Sequence, residues 1–242
     1  YNMRIAVSGT GNSGKTTLIK SFLHTWDNYI TPQKSYREVI EEENLTHSSK
    51  TTTDTQTKIL DFMVNQVQEY DKGSKIIFDR CPLDNIAYTL WCNDKDVEGF
   101  TKEFVAKQIE LMKESMRHLD IIFLCRFDST QAIEDDGFRE TDKQFISEVD
   151  NIFFSLLNQY TQNSEADIFF PKGDSPAVIE LPHKAQERID LIAEYVGIDG
   201  DLIDDEPSIL SNIDELERLL LQQENALEAE NKEKELFKRF GI

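Results

Sequence analysis

Nine consecutive residues, Gly9-Thr10-Gly11-Asn12-Ser13-Gly14-Lys15-Thr16-Thr17, carry what a phosphate-binding loop requires. Glycines at 9, 11 and 14 let the backbone turn tightly enough to aim successive N–H groups inward, around Asn12 and Ser13. Lys15 adds a flexible cation, and the hydroxyls of Thr16 and Thr17 follow, the first suited to Mg²⁺. The pattern G-x-x-x-x-G-K-[ST] arises by chance in roughly one chain of this length in a hundred at a glycine abundance of ~7%. A Gly-rich turn between a strand and a helix is the plain alternative. The expected chemistry is capture of the β and γ phosphates of ATP, with Lys15 reaching both.

Further residues read as partners of that loop. The apolar run Ile76-Ile77-Phe78 ends in Asp79-Arg80. A carboxylate at a strand end can hold Mg²⁺ through water or accept a proton from an attacking hydroxyl, and Arg80 can clamp phosphate or substrate. A strand-end Asp also serves simply as a cap for the next helix. Arg37-Glu38 within Ser35–Glu43 is a candidate substrate contact, with a charged helix face as its alternative. Asp84 is a further candidate. Arg139, in the charged stretch 133–142, is placed to neutralise charge on a transferring group from a lid of about 128–142; a solvated turn around Gly137 would have the same composition. His183, after the last strand-like run, is a candidate for contact with an adenine.

These residues need elements to position them. Arg4–Val7 reads as a strand, and Lys15–Trp26 as a helix with Leu18, Ile19, Phe22 and Leu23 on one face. Asn28–Thr31, Lys75–Arg80, Asp120–Cys125 and Ala177–Leu181 complete five strands. Helices fall at Thr55–Tyr70, after Pro82, at Phe100–Leu119, at Lys143–Tyr160 and after Lys184. The alternation predicts an α/β three-layer sandwich with a five-stranded, mostly parallel sheet, whose C-terminal edge receives ligands. The main domain would run over 1–199. Residues 200–242 read as an acidic linker and an amphipathic helix carrying Ile209, Ile213, Leu216, Leu220 and Leu227. That helix could pack on its own domain or form a homo-oligomer.

Composition narrows the partners. Over 242 residues, Asp and Glu number 46 against 26 Lys and Arg, for a formal charge of −20. A generally nucleic-acid-binding surface is thereby disfavoured, although a local basic cleft is not. No apolar run approaches the ~20 residues of a membrane span. Cys81, Cys92 and Cys125 are odd in number and lack zinc-site spacing, so they read as reduced, buried thiols. A cytoplasmic protein with no membrane partner is expected.

Taken in order, the loop, Arg37-Glu38, Asp79-Arg80-Cys81-Pro82-Leu83-Asp84 with Tyr88, and Asp136-Gly137-Phe138-Arg139 resemble the P-loop nucleoside and nucleotide kinases over about residues 3 to 197. Tyr36-Arg37-Glu38 and the Asp-Gly-x-Arg stretch are similar to bacterial nicotinamide-riboside kinase domains. Asp79-Arg80 is similar to the motif of thymidylate and deoxynucleoside kinases. As a whole the chain also resembles bacteriophage kinases acting on 5-hydroxymethyluracil in DNA, which would place it in a host cytoplasm. The resemblance implies that Arg80 binds substrate or phosphate, that Arg139 is a lid arginine and that an acidic residue deprotonates the acceptor. Deoxynucleoside kinases carry that base directly after the second strand, where this chain has Thr31-Pro32-Gln33. The base therefore lies among Asp79, Glu38 and Asp84, with Asp79 taken forward. Three functions follow as expectations: an ATP- and Mg²⁺-dependent kinase for a nucleoside, nucleotide or related acceptor; a kinase of a modified base in DNA, which requires base extrusion or single-stranded access; and a nucleotide-driven switch acting through the C-terminal helix. The guanine-reading motif Asn-Lys-x-Asp is absent from the sequence.

Overall fold

The computed structural model describes residues 2–133, 135, 140–162 and 168–203. In chain order it has strand β1 (Arg4–Ser8), helices α1 (Lys15–Thr25), α2 (Tyr36–Glu42) and α3 (Thr53–Gln68), strand β2 (Ile76–Asp79), helices α4 (Pro82–Asp94) and α5 (Lys102–Ser115), strand β3 (Ile121–Cys125), helix α6 (Lys143–Gln162), strand β4 (Ala177–Leu181) and helix α7 (Ala185–Ile192). Short 3₁₀ turns occupy Ser48–Lys50 and Met116–His118.

All four strands run parallel in the order β2-β1-β3-β4. Such a sheet must be covered on both faces, and the two-residue period of the strands divides their apolar side chains accordingly. Ile5, Val7, Ile77, Phe123 and Cys125 share a core with Leu18 and Phe22 of α1 and Ile192 of α7. Ala6, Ile76, Phe78, Ile122 and Leu124 point the other way, into a core with Leu60 of α3, Ile86 of α4, Met112 of α5 and Phe153 of α6. Each fully buried Val, Leu, Ile, Met or Phe side chain among them contributes about 1.5–3 kcal/mol of burial. The result is the expected three-layer sandwich. Arg4, in the middle of this apolar setting, is 2% exposed and donates from Nη2 to Asp120 Oδ1 at 3.0 Å, while its backbone N–H donates to Asp120 Oδ2 at 2.7 Å. One carboxylate thus pins the start of β1 beside the start of β3.

The expected fifth strand is reduced to a single parallel bridge between Ile30 and Ile76. Pro32 cannot donate to a ladder. On the other side, Tyr29 is drawn away because its hydroxyl donates to Gly200 O at 2.8 Å, and Trp26 Nε1 donates to Gly197 O at 2.7 Å. Backbone pairing therefore lasts only for Ile30, whose carbonyl accepts from Ile77 N at 2.9 Å. One compact unit spans Tyr1–Leu202. The amphipathic helix expected beyond Ile209 lies outside the described residues. Among the described residues no helix is long and apolar enough to cross a membrane, and all three cysteines are free and buried.

The chain order places β1 at the middle of the sheet, where connections leave in opposite directions. At such a point the C-terminal edge opens into a crevice. The register aligns Val7 of β1 with Asp79 of β2, so the loop after Ser8 and the Asp79-Arg80 turn emerge side by side.

Candidate active site

The loop after β1 takes the shape its glycines were expected to allow. Gly9 has φ +135, and a Cβ there would lie 2.3 Å from Cys125 O, at the end of the neighbouring strand. Gly14 has φ +82, and a Cβ would lie 2.8 Å from Nη1 of Arg188. Lys15 opens α1 and is buried, with Nζ donating to Thr10 O and to Ser13 Oγ, the latter at 3.2 Å. Burial foremost, and then the Arg80 cation, lower its pKa to about 7, against the opposite pull of Asp79 and Asp84.

Beside the loop, the sequence Cys81-Pro82-Leu83-Asp84 starts α4 as a capping box, with Pro82 in the first turn and Asp84 reaching back to the Cys81 N–H at 3.0 Å. Asp84 is 1% exposed, and the rest of its carboxylate is also taken: Ser8 Oγ donates at 2.7 Å, Gly9 N at 3.1 Å and Arg80 Nη1 at 3.0 Å. Four donors fill the lone-pair sites of a carboxylate. Asp84 was expected to bind substrate or act as base; instead it braces the loop against Arg80. Arg80 has φ 78, in the left-handed region, and its Nη1 also donates to Gly9 O at 2.8 Å. Its guanidinium lies over the rings of Tyr36 and Tyr88, at 5.2 and 5.6 Å from their centroids. These contacts hold the cation at the loop's entrance.

Glu38 is a second correction. It is exposed and caps its own helix, its Oε2 accepting from Ser35 N at 2.6 Å in a capping box with Ser35. The pattern Ser-x-x-Glu is a helix-start signal, and that local bond takes the carboxylate away from the cavity that Arg37 lines. Asp79 behaves differently. Its Oδ1 is buried with no hydrogen-bond partner among the described residues, in the wall of the cavity formed by the loop. Thr16 lines the same cavity with an exposed side chain. An unspent carboxylate oxygen and an accessible hydroxyl are oxygen donors of the kind Mg²⁺ takes, so the residues present fit that ion.

Three cavities adjoin here. The central one is walled by Gly11 to Thr17, Arg37, Asp79 and Arg80. On one side it shares Asn12, Ser13, Gly14 and Thr17 with a cavity that includes His183, Arg126 and Arg188. On the other it shares Gly11, Arg37 and Arg80 with a largely apolar cavity containing Ile59, Met63, Tyr88 and Phe145. Of the sequence-based candidates, Gly11, Asn12, Ser13, Gly14, Lys15, Thr16, Thr17, Arg37, Asp79 and Arg80 come together at the centre, and His183 stands at the far end. Arg139 and its Asp136-Gly137-Phe138 neighbours lie outside the described residues.

Arg188, Arg126, Asn85 and Glu140 belong to the site and were not among the sequence-based candidates. Arg188 of α7 is 5% exposed and joins two segments, donating from Nη1 to Ser13 O at 2.8 Å and from Nε to Pro182 O at 2.7 Å. A buried arginine 175 positions from its partner leaves no periodic mark. Arg126 just after β3 is held by Asp150, with Nη2 at 2.7 Å from Oδ2, and lies 4.6 Å from the Phe154 ring centroid. Gln56 and Asn85 line the apolar cavity as a pair, Asn85 Nδ2 donating to Gln56 Oε1 at 2.6 Å. Glu140 lines it too, accepting from Ser49 Oγ at 2.6 Å, while its carbonyl accepts from Asn12 Nδ2 at 3.4 Å.

A family model described as an AAA domain matches residues 4–164. No curated protein sequence matches the chain. Among solved structures, deoxyadenosine kinase from M. mycoides aligns at 16% identity with a TM-score of 0.56, over 79% of this chain and 97% of that one. NadR aligns at 16% identity with a TM-score of 0.59, over 84% of this chain but 54% of NadR. Thymidylate kinase from Candida albicans aligns at 18% identity with a TM-score of 0.52, over 85% of this chain and 96% of that one. At these identities the likeness is one of fold, and the fold is that of the P-loop nucleoside and nucleotide kinases.

Proposed function

This chain belongs to the AAA-domain family, and we propose that it is a kinase that transfers the γ-phosphoryl group of ATP to a hydroxyl of a nucleoside-like acceptor. The supporting observation is the row of three adjoining cavities, which gives places for a base, a chain of phosphates and an acceptor with the loop at their centre. Phosphoryl transfer of this kind rests on positioning and charge neutralisation. The N–H groups of the loop and Lys15 hold the donor's phosphates. His183, on the wall of the cavity that also includes Arg126 and Arg188, contacts the donor's base. Arg80 and Arg37 stand on the wall common to donor and acceptor, where charge develops as the phosphoryl group passes. Thr16 would hold Mg²⁺ directly and Asp79 only through water, which leaves the carboxylate free, and the ion would supply charge neutralisation to the phosphates when bound. With Glu38 and Asp84 committed to caps and braces, proton acceptance from the acceptor hydroxyl is assigned to Asp79.

The test is direct. Labelled ATP is offered with nucleosides, mononucleotides and hydroxymethylated DNA, and the labelled product is identified. Label in an acceptor, lost on Lys15→Ala with the fold intact by circular dichroism, is the expected result. Nucleotide binding with no transfer to any of them would instead favour a nucleotide-driven switch.

A further inference from the structure

The apolar cavity faces its occupant with little net charge. Just after β2 and on α4, Arg80 and Asp84 neutralise one another at 3.0 Å, with side chains 8% and 1% exposed. From α2, Arg37 lies on the wall shared with the phosphate cavity, so its field is directed at the donor as much as at the acceptor. From the turn before Ser48, His47 is held below the usual histidine range, by burial first and against the pull of Glu140, and is neutral near pH 7. From the segment leading into α6, Glu140 presents a carboxylate. Burial pushes its pKa up, but donors from Ser49 and from the Asp142 and Thr141 backbone outweigh that and hold it ionised. A phosphate monoester would bring close to two negative charges into this setting, where Glu140 opposes them and the Arg80 charge is already matched.

Hydrogen bonding identifies the part of the acceptor that faces Asn85. Asn85 is 3% exposed, and its Oδ1 has no partner among the described residues. The orientation of the amide is set by Nδ2, which donates to both Gln56 O and Gln56 Oε1, at 3.1 and 2.6 Å. Thr10 Oγ1, in the wall nearest the loop, is likewise buried and unpartnered. Leaving such atoms unmatched is unfavourable. An ionised phosphate has no hydrogen to give Asn85, whereas a hydroxyl or a ring N–H does.

Resting on the kinase reading above, we infer that the acceptor group entering this cavity is an uncharged ring bearing a hydroxyl and an N–H donor, and that Glu140 is the residue that turns away acceptors already carrying a phosphate. The class is therefore nucleoside rather than nucleotide. Ile59, Met63, Tyr88 and Phe145 supply apolar surface for the ring, and selectivity comes from repulsion added to that fit.

The experiment compares kcat/KM for matched nucleosides and their 5′-monophosphates, in the wild-type chain and in Glu140→Gln, which keeps a carbonyl oxygen for the Thr141 and Asp142 backbone donors and turns its amide to the Ser49 hydroxyl, which can accept as well as donate. The wild type is expected to favour nucleosides, and Glu140→Gln to raise the monophosphate-to-nucleoside ratio about tenfold. A ratio is insensitive to a uniform loss of activity, and Glu140→Ala provides a second variant should Glu140→Gln fold poorly; it also removes the charge and should raise the ratio, and a ratio it leaves unmoved counts against the inference. A wild type that prefers monophosphates, or a ratio unmoved by Glu140→Gln, overturns the inference while leaving the kinase reading in place. Transfer to neither class, with ATP still bound, removes the kinase reading and this inference with it.

Discussion

Lys15 offers a quantitative test by pH. Its pKa is lowered to about 7 in the free protein, by burial first and then by Arg80. A bound triphosphate puts several negative charges against the ammonium and returns it to the fully protonated form. Binding must therefore take up a proton wherever free Lys15 is neutral: about 0.5 proton at pH 7 and about 0.9 at pH 8. The donor's terminal phosphate, with a last pKa near ~6, is already ionised there and does not obscure the effect. Affinity should fall about fiftyfold from pH 7 to pH 9, with the same linkage. Isothermal titration of a non-hydrolysable ATP analogue, in two buffers of different ionisation heat, reads the proton number directly. Lys15→Arg, whose guanidinium stays charged throughout, should flatten the profile. The free chain should respond in the matching direction. The folded pKa lies below the unfolded value, so the unfolded chain binds the extra proton between pH 7 and about 10.5, and Lys15 contributes rising stability across that window, up to about 5 kcal/mol. Zero proton uptake at pH 8 with a pH-independent affinity would refute the burial argument for this lysine.

Other perturbations test the scaffold around it. Gly9→Ala places a Cβ 2.3 Å from Cys125 O at φ +135, with backbone on both sides, and should cost about 3 kcal/mol or more; for a domain of this size that lowers Tm by about 6 to 12 °C, and a melting curve within a degree or two of wild type would contradict the packing. Asp84→Asn removes the charge that matches Arg80 at 3.0 Å and faces Gly9 N with an amide; a loss of about 3 kcal/mol and a large fall in kcat are expected by denaturant unfolding and steady-state assay, and unchanged turnover would deny it a bracing role. Arg188→Lys cannot span Ser13 O and Pro182 O with a single ammonium, so KM for ATP should rise several-fold while kcat holds; an unchanged KM would separate the α7 contact from nucleotide binding.

How much of this could be read from the chain alone depends on the range of the interaction. The phosphate loop was legible because its chemistry is local: consecutive residues, an apolar run before and a helical period after. Asp79 and Arg80 were legible for the same reason, as polar residues ending an apolar strand. Glu38 was misassigned because Ser35-Tyr36-Arg37-Glu38 is also a capping box, and a carboxylate bonded to its own helix start cannot serve a cavity. Asp84 lies in the same kind of local motif, yet its bonds to Ser8 and Gly9 come from a segment 75 or more residues away.

By itself, the sequence determined the alternation of strands and helices, the two-sided sheet and the residues that line the cavity formed by the loop, since each is fixed by neighbours within a turn or a strand. Only the tertiary structure decided that Arg188 and Glu140 reach the loop, that Gln56 meets Asn85, and that Asn28–Thr31 yields one bridge rather than a strand. Those outcomes depend on which distant segment arrives to take a hydrogen bond, and linear spacing carries no record of that.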